Sequence, residues 1–193
     1  MKLENSFEVP AARKAAWDLL MDVPRVIPCM PGAELEDTVA EDAWKAKLSV
    51  KLGPIALTFA TDVTREAADE AAGVVTLNAK ARELRGRGGA KAAIQSSLSE
   101  IEGGTRVDIV TDLTLSGAVA QYGRGIVQDV SGQLVGRFAD CLKAQLVAAP
   151  EVAAAAVAEQ AKPVAGLSLG FAAIGRSIAR FLSRLFGRRP ESR

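Results

Sequence analysis

Apolar and polar residues alternate along most of the chain up to Gly117, and this alternation predicts strands. Leu3, Phe7 and Val9 are separated by charged or polar neighbours, a pattern typical of a half-buried strand. The same period covers residues 44–51, 55–63 and 106–115, and weaker versions cover 74–81 and 90–101. Turn residues separate these segments at 53–54 and 103–104. The pattern therefore predicts an antiparallel meander rather than alternating strands and helices.

Helical segments lie before and after this meander. Pro10 is predicted to open a helix that carries Ala16, Trp17 and Leu20 at helical spacing, because proline is accommodated in a first helical turn. The prolines at 24, 28 and 31 then allow only short helical turns before Gly32.

After Gly117 the apolar period changes to 3.6 residues and persists for about 30 residues, which predicts one long helix. Its apolar stripe consists of Tyr122, Ile126, Val130, Leu134, Phe138 and Leu142. Four glycines interrupt the helix, and each costs about 1 kcal/mol relative to alanine. They are Gly123, Gly125, Gly132 and Gly136. We expect either a close approach of another element or open space beside this helix.

Together these elements predict an α+β domain over residues 1–148, in which a curved antiparallel sheet of about seven strands surrounds the long helix. The concave face of the sheet is expected to be apolar. A cavity on that face would be lined by Leu48, Val50, Leu57, Phe59, Leu77, Leu113, Leu115, Ile126 and Val130. The same residues fit an ordinary solid core equally well, so both interpretations stay open.

Composition restricts the possible chemistry. The 193 residues include no histidine, which removes the commonest general base and the commonest metal ligand. No sequence motif for a nucleophile, a phosphate or a metal occurs, so neither catalytic residues nor a metal site are expected. Cys29 and Cys141 are predicted to be separate, buried and reduced side chains. The N-terminus has no signal-peptide pattern, and an intracellular protein is expected.

The net charge of +1 conceals two oppositely charged regions. Residues 161–193 contain seven basic residues and one acidic residue, a net charge of +6, so residues 1–160 sum to −5. Residues 149–166 form an Ala-rich linker. Whether it is a helical spacer or a loose tether, it keeps the basic end separable from the domain.

Residues 167–189 are predicted to form a basic amphipathic helix that binds the membrane interface. Arg176, Arg180, Arg184 and Arg188 recur every four residues, so they share one face of a helix. The opposite face carries Phe171, Ile174, Ile178, Phe181, Leu182 and Leu185. Spanning is disfavoured because each arginine costs about 2.5–3.5 kcal/mol at the bilayer centre, whereas the interface suits this pattern. Packing on a partner protein or on the domain itself is the alternative. Because these basic residues cluster with apolar ones rather than forming an aromatic-interleaved patch, no nucleic-acid binding is expected.

Four motifs give the chain a resemblance to a known family. They are FEVP at 7–10 with AWDLL at 16–20, PCMPGAE at 28–34, KLGPI at 51–55 and GAVAQYGR at 117–124. In this order they resemble the CoxG family of carbon monoxide dehydrogenase subunits over about residues 3–146, which implies the helix-grip fold of START-like and Bet v 1-like proteins. The motif positions are Pro31, Gly32, Gly53, Pro54, Gly117, Gln121, Gly123 and Arg124. The Pro-Gly and Gly-Pro pairs are expected to act mainly as turn formers.

The resemblance also implies a function. It implies a non-catalytic accessory protein of a molybdenum hydroxylase such as aerobic CO dehydrogenase, located on the inner face of the cytoplasmic membrane. Its lipophilic cavity would hold a quinone, either menaquinone or ubiquinone, that accepts the enzyme's electrons. Two alternatives stay open: a membrane-tethered assembly or maturation factor without ligand transfer, and a cyclase or dehydratase of the same fold.

In a chain without histidine, a quinone carbonyl needs an amide, hydroxyl or guanidinium donor. Gln121 and Tyr122 are predicted to lie at the cavity mouth, where the last strand becomes the helix. Helix capping and core packing explain these two residues equally well.

Overall fold

The computed structural model describes residues 1–52 and 55–147, which form one antiparallel sheet, three helices and two 3-10 turns. The elements occur in the order β1 (Lys2–Val9), α1 (Arg13–Met21), α2 (Val23–Val26), a 3-10 turn (Ile27–Cys29), β2 (Ala33–Ala40), β3 (Ala43–Leu52), β4 (Ile55–Asp69), β5 (Val74–Glu83), β6 (Gly88–Ile101), β7 (Gly104–Gly117), a second 3-10 turn (Ala118–Gln121) and α3 (Arg124–Val147).

The seven strands lie in the order β1-β7-β6-β5-β4-β3-β2. Strands β2 to β7 form a meander, and β1 joins its far edge by pairing with β7 from Lys2↔Asp112 to Val9↔Thr105. The sheet curves around the long C-terminal helix. The predicted α+β, helix-grip architecture is therefore confirmed.

Two helix boundaries differ from the predicted ones, and one strand was not predicted. Helix α1 begins at Arg13 rather than at Pro10, because Pro10 and Ala11 form a bend and Ala12 is the N-cap residue. Helix α3 begins at Arg124, so Tyr122 lies before it. Strand β2 has no counterpart in the predicted pattern. Only its first residues are covered by other atoms, so this edge strand carries no apolar alternation.

Cross-strand register defines an inner face of the sheet, which packs on α3, and an outer face. Phe7 of β1 meets Phe138 of α3 edge-on, with 6.1 Å between ring centroids. On the same face of β1, Asn5 Nδ2 donates a hydrogen bond to Ser131 Oγ of α3 at 3.0 Å. The main core cluster forms where the second half of α3 meets α1, β1 and β7, and its buried members include Trp17, Val107 and Leu142.

Cys29 and Cys141 form a disulfide bond, which corrects the prediction of two separate thiols. Both side chains are buried, as expected. The first 3-10 turn packs against α3 and brings the two Cα atoms to 5.4 Å, a separation that a disulfide spans. Beside the bond, Arg25 Nε donates to Gln145 Oε1 at 2.9 Å. The C-terminal end of α3 is therefore fixed covalently to this turn and by hydrogen bonding to α2.

Two family-motif glycines are required by the backbone. Gly32 has a φ of +76°, and a Cβ at this position would collide with the carbonyl oxygen of Ser49. Gly117 has a φ of +67°, and a Cβ there would lie 2.7 Å from the Cα of Gly88. Both positions favour glycine because residues with a side chain rarely adopt a positive φ. The expected structural role of Gly32 is confirmed.

The glycines of α3 and of the segment before it have a different cause. No described atom outside the helix's own backbone lies within 4 Å of a Cβ placed at Gly123, Gly125, Gly132 or Gly136. Of the two expected explanations, open space beside the helix is the one that holds among residues 1–52 and 55–147.

Several predicted features lie outside the described residues. These are the linker at 149–166, the amphipathic helix at 167–189, and Gly53 and Pro54. Within residues 1–52 and 55–147, none of the helices combines the length and the apolar character needed to span a membrane.

Candidate functional site

The strand residues predicted to line a cavity share the inner face of the sheet. Directly paired residues in antiparallel strands project to the same face, and cross-strand pairs connect these positions. The pairs are Leu48 with Phe59, Val50 with Leu57, Leu77 with Ile94, Leu113 with Ala92, and Leu115 with Ala90.

Part of this inner face is solid core. Leu57 and Phe59 are buried together with Val119, and we call this group the end cluster. The half-buried side chains that pack around it include Leu48, Leu115 and Tyr122. Leu77 packs instead against the main core cluster. These predicted wall residues therefore belong to two separate groups.

Between the two groups lies a stretch of half-buried inner-face residues, which we call the middle section. It consists of Thr61, Val63, Ala79, Ala92, Ile94, Thr111 and Leu113. None of these side chains belongs to either described cluster. The two alanines in this stretch, Ala79 and Ala92, carry little side-chain volume.

Helix α3 covers the sheet unevenly. Its buried residues, Ala139, Cys141, Leu142 and Gln145, all lie in its second half. In its first half, Ile126 is 48% exposed, and Val130 is half-buried in a narrow cleft beside β3. The first half of α3 therefore covers the middle section incompletely.

Thr61 provides a polar group within this apolar surface. Its Oγ1 atom is buried but has no hydrogen-bond partner among the described residues. A buried hydroxyl without a partner is costly, so a ligand carbonyl would be a favourable partner for it. Thr61 is not among the site residues predicted from the sequence. The sequence feature that could have indicated it is a hydroxyl side chain at an inward position of β4 between apolar inward residues.

The two predicted donors are placed differently. Tyr122 is half-buried against the end cluster, whereas Gln121 is exposed. Nearby, Arg124 Nη2 donates to the backbone oxygen of Lys2 at 3.5 Å. Tyr122 is therefore the predicted donor that contacts the inner face, and Arg124 connects the start of α3 to β1.

A buried carboxylate fixes the turn between β5 and β6 beside this site. Glu83 is 1% exposed, and its Oε2 accepts backbone N–H bonds from Arg85 at 2.8 Å and Arg87 at 3.1 Å. Its Oε1 accepts from the Arg87 guanidinium at 2.9 Å. The side-chain hydrogen bond from Arg87, aided by the two backbone bonds, lowers the pKa of Glu83 to about 2. Arg87 also donates to the backbone oxygen of Ala56 at 2.7 Å, which connects this turn to β4.

At the opposite end of the inner face, Arg65 connects three elements. It pairs with Asp42, donates to the backbone oxygen of Met21 at 3.1 Å, and stacks on Trp44 at 5.6 Å from the ring centroid. An open recess of about 470 Å³ lies beside it, between α1 and β4. Among the described residues there is no group of three metal-ligating side chains.

Comparison with protein families identifies the chain. The family model described as the G subunit of carbon monoxide dehydrogenase (CoxG) matches residues 6–147. The chain belongs to the CoxG family. This match covers all three helices and the whole sheet except the first residues of β1, and it confirms the family indicated by the four motifs. No match was found among curated proteins.

Solved structures share the fold of this CoxG protein. A conserved protein from Geobacillus kaustophilus superposes with a TM-score of 0.68 at 20% identity, over 76% of this chain and 95% of that one. A protein from Thermus thermophilus gives 0.56 at 15% identity, over 81% and 99%. The ZhuI aromatase/cyclase from Streptomyces sp. R1128 gives 0.54 at 12% identity, over 76% and 93%. At these identities the likeness concerns the fold alone.

Proposed function

We propose that this CoxG protein is a non-catalytic carrier of an isoprenoid quinone, which serves a molybdenum hydroxylase of the CO dehydrogenase type at the cytoplasmic membrane. The observation that carries the proposal is the middle section, an apolar and half-buried surface that the first half of α3 leaves incompletely covered. Ligand sites are mostly apolar concave surfaces with a few polar groups that orient the ligand, and this surface has that composition.

The residues around the middle section fit a quinone. Its apolar side chains would contact the isoprenoid chain, and Thr61 Oγ1 or the Tyr122 hydroxyl would donate to a ring carbonyl. Thr61 is favoured because its hydroxyl is buried and has no partner among the described residues. When bound, the quinone would supply the redox chemistry by accepting electrons from the partner enzyme. The protein would bind the quinone, orient it and exclude water from it.

The basic segment at 167–189 would attach the carrier to anionic lipid, where each arginine contributes about 1 kcal/mol. Family membership supports the choice of partner, since the family is described as a subunit of carbon monoxide dehydrogenase. A recruited enzyme and a membrane-soluble acceptor would then meet on one carrier.

Native mass spectrometry and solvent extraction of the full chain test the ligand. We expect a copurifying quinone, and we expect Thr61→Val to weaken its retention about fivefold, as for the loss of one hydrogen bond. Thr64→Val is the matched control, because Thr64 lies on the outer face of the same strand and is exposed. The proposal would be overturned if the protein purifies without bound quinone and takes up none when quinone is added.

Removal of residues 166–193 separates the carrier role from an assembly role. If the carrier role holds, the hydroxylase produced with the truncated protein keeps its activity with an artificial dye but loses quinone reduction. Loss of both activities would favour an assembly or maturation factor instead.

A further inference from the structure

The outer face of the sheet, opposite α3, contains an open groove of about 640 Å³. Four exposed basic residues line it: Lys45, Lys80, Arg82 and Lys91. Two acidic residues, Glu36 and Asp62, also contribute to its walls. Thr61 also borders the groove, but the strand register places its side chain on the inner face, so the proposed quinone site and the groove use opposite faces of the sheet.

Strand register places the basic residues close together. Lys45, Asp62, Lys80 and Lys91 follow one another in a single row across β3, β4, β5 and β6. Lys80 lies directly opposite Lys91, and like charges in this arrangement repel. None of the four basic side chains forms an ion pair with another described residue. The row therefore has basic groups available for an external anion.

Small residues give the groove its depth. In the adjacent row, Ala60 and Gly89 lie on either side of Arg82. A Cβ at Gly89 would lie 2.6 Å from the backbone oxygen of Ala81, so a larger residue does not fit there without movement of the backbone. Arg82 is thus flanked by two positions that carry almost no side-chain volume.

The positive charge of the groove is local. Residues 1–147 contain 17 basic and 20 acidic residues, a net charge of −3. In the groove, the four basic residues exceed the two acidic ones. The excess is therefore a feature of this surface and not of the domain as a whole.

We propose that the groove binds an extended acidic segment of a partner protein. With neighbouring strands about 4.7–4.9 Å apart, the row from Lys45 to Lys91 spans about 14 Å, the length of roughly four extended residues. A single phosphate is a poorer match because the basic groups are spread along the row instead of converging on one point. A flat anionic membrane is a poorer match because the small residues Ala60 and Gly89 leave recesses beside Arg82, which a narrow extended segment can enter and a flat surface cannot.

This inference goes beyond quinone carriage and does not require it. The quinone site lies on the inner face, and the groove lies on the outer face. A protein that binds no quinone would leave the groove proposal standing, and a groove that binds no acidic peptide would leave the quinone proposal standing.

Cross-linking of the full chain to an acetylated octaglutamate peptide, preactivated with carbodiimide, tests the groove. The activated carboxylates react with lysine, and Lys162 is the single lysine after residue 147, so the arginine-rich C-terminal segment takes up little label. We expect the label to concentrate on Lys45, Lys80 and Lys91 relative to the exposed lysines Lys2 and Lys51. Equal labelling of all exposed lysines would overturn the proposal.

Arg82→Gln sharpens the test, because this residue cannot itself be cross-linked. We expect it to lower labelling of Lys80 and Lys91 about two- to fivefold, as for the loss of one exposed ion pair. Arg85→Gln is the matched control, since Arg85 is exposed in the adjacent turn and does not line the groove. Equal losses in both variants would show a general charge effect and would overturn the proposal.

Two competitors distinguish the other possible occupants. Sodium phosphate and sodium chloride at matched ionic strength should lower the labelling equally, and selective competition by phosphate would show a small-anion site instead. Vesicles of phosphatidylglycerol and phosphatidylcholine should leave Lys80 and Lys91 labelled, and selective protection of these lysines would show a membrane-binding face instead. Either result would overturn the acidic-segment proposal.

Discussion

At the scale of single residues, Glu83 couples stability to pH. Its carboxylate accepts three hydrogen bonds while almost fully buried, and its pKa is lowered from 4.5 to about 2. A carboxylate whose folded-state pKa is lowered stabilises the protein above its unfolded pKa, and this stabilisation is lost as the pH falls through the folded value. The relevant window therefore extends from about pH 4.5 down to about pH 2.

We expect Glu83→Gln to reduce the loss of stability across this window. Urea unfolding at a series of pH values measures this loss of stability. Below about pH 4.5, the urea midpoint of the wild-type protein should fall more steeply than that of the variant. Glu100→Gln is the control, because Glu100 is exposed and has no ion pair among the described residues. Parallel curves for the wild-type protein and Glu83→Gln would contradict the assignment.

Replacement by alanine should change the stability of the protein in opposite directions at two glycines. Gly136→Ala should stabilise the protein by about 0.5–1 kcal/mol, because Gly136 lies in a helix with open space where the Cβ would be added. Gly32→Ala should destabilise it by about 2 kcal/mol or more, because of the positive φ and the nearby Ser49 carbonyl. Chemical denaturation measures both changes, and changes of the same sign would argue against this explanation of the two positions.

At the scale of elements, α3 has a fixed end and a lightly packed end. Its C-terminal half carries the disulfide to the first 3-10 turn and all of the buried residues of the helix. Its N-terminal half leaves Ile126 exposed and the middle section incompletely covered. For the quinone carriage proposed above, movement of the lightly packed half would be the simplest route for the ligand to the inner face.

The double variant Cys29→Ala/Cys141→Ala tests the fixed end. Loss of a native disulfide typically costs about 2–5 kcal/mol, so unfolding should occur at clearly lower denaturant concentration. Hydrogen exchange should increase most in the C-terminal half of α3 and in the residues around Cys29. The same denaturant midpoint is measured for the wild-type protein with and without reductant and for the double variant. If the three midpoints are equal, the disulfide has no role in stability.

Elements with regular periodicity could be predicted from the sequence, and elements without it could not. The inward residues of β1, β3, β4 and β7 alternate with outward polar ones, so these strands were identifiable. Edge strand β2 has few covered residues, and so it has no such pattern. The disulfide was not predictable because its cysteines are 112 residues apart and meet only through tertiary packing.

The candidate site shows the same limit. Alternation was sufficient to place the strand wall residues on one face, but separating solid core from incompletely covered surface required the position of α3. Thr61 illustrates the difference: its inward position follows from the pattern of β4, whereas its lack of a partner among the described residues follows only from its surroundings. The outer groove depends on the register of five strands, which a local pattern does not contain.

At the scale of the whole molecule, two faces of the described sheet and one segment of the sequence differ in charge and polarity. The inner face of the sheet is apolar, the outer face carries the basic groove, and the strongest positive charge in the sequence lies in residues 161–193. We propose that they bind a quinone, a partner protein and a membrane, respectively. Because the inner and outer faces lie on opposite sides of the sheet, the proposed quinone and the proposed partner segment would contact different side chains.

The central claim is that a quinone binds between the middle section and α3. Its most direct test is a titration of the delipidated full chain with a short-chain menaquinone analogue. Quenching of the fluorescence of Trp17 and Trp44 reports the binding. Ala92→Leu fills the middle section, and Ala93→Leu adds the same group on the exposed outer face of the same strand. Because overpacking costs about 1–3 kcal/mol, we expect an affinity about tenfold or more weaker for Ala92→Leu and an unchanged affinity for Ala93→Leu. Equal affinities for the wild-type protein and both variants, or no binding by the wild-type protein, would contradict the claim.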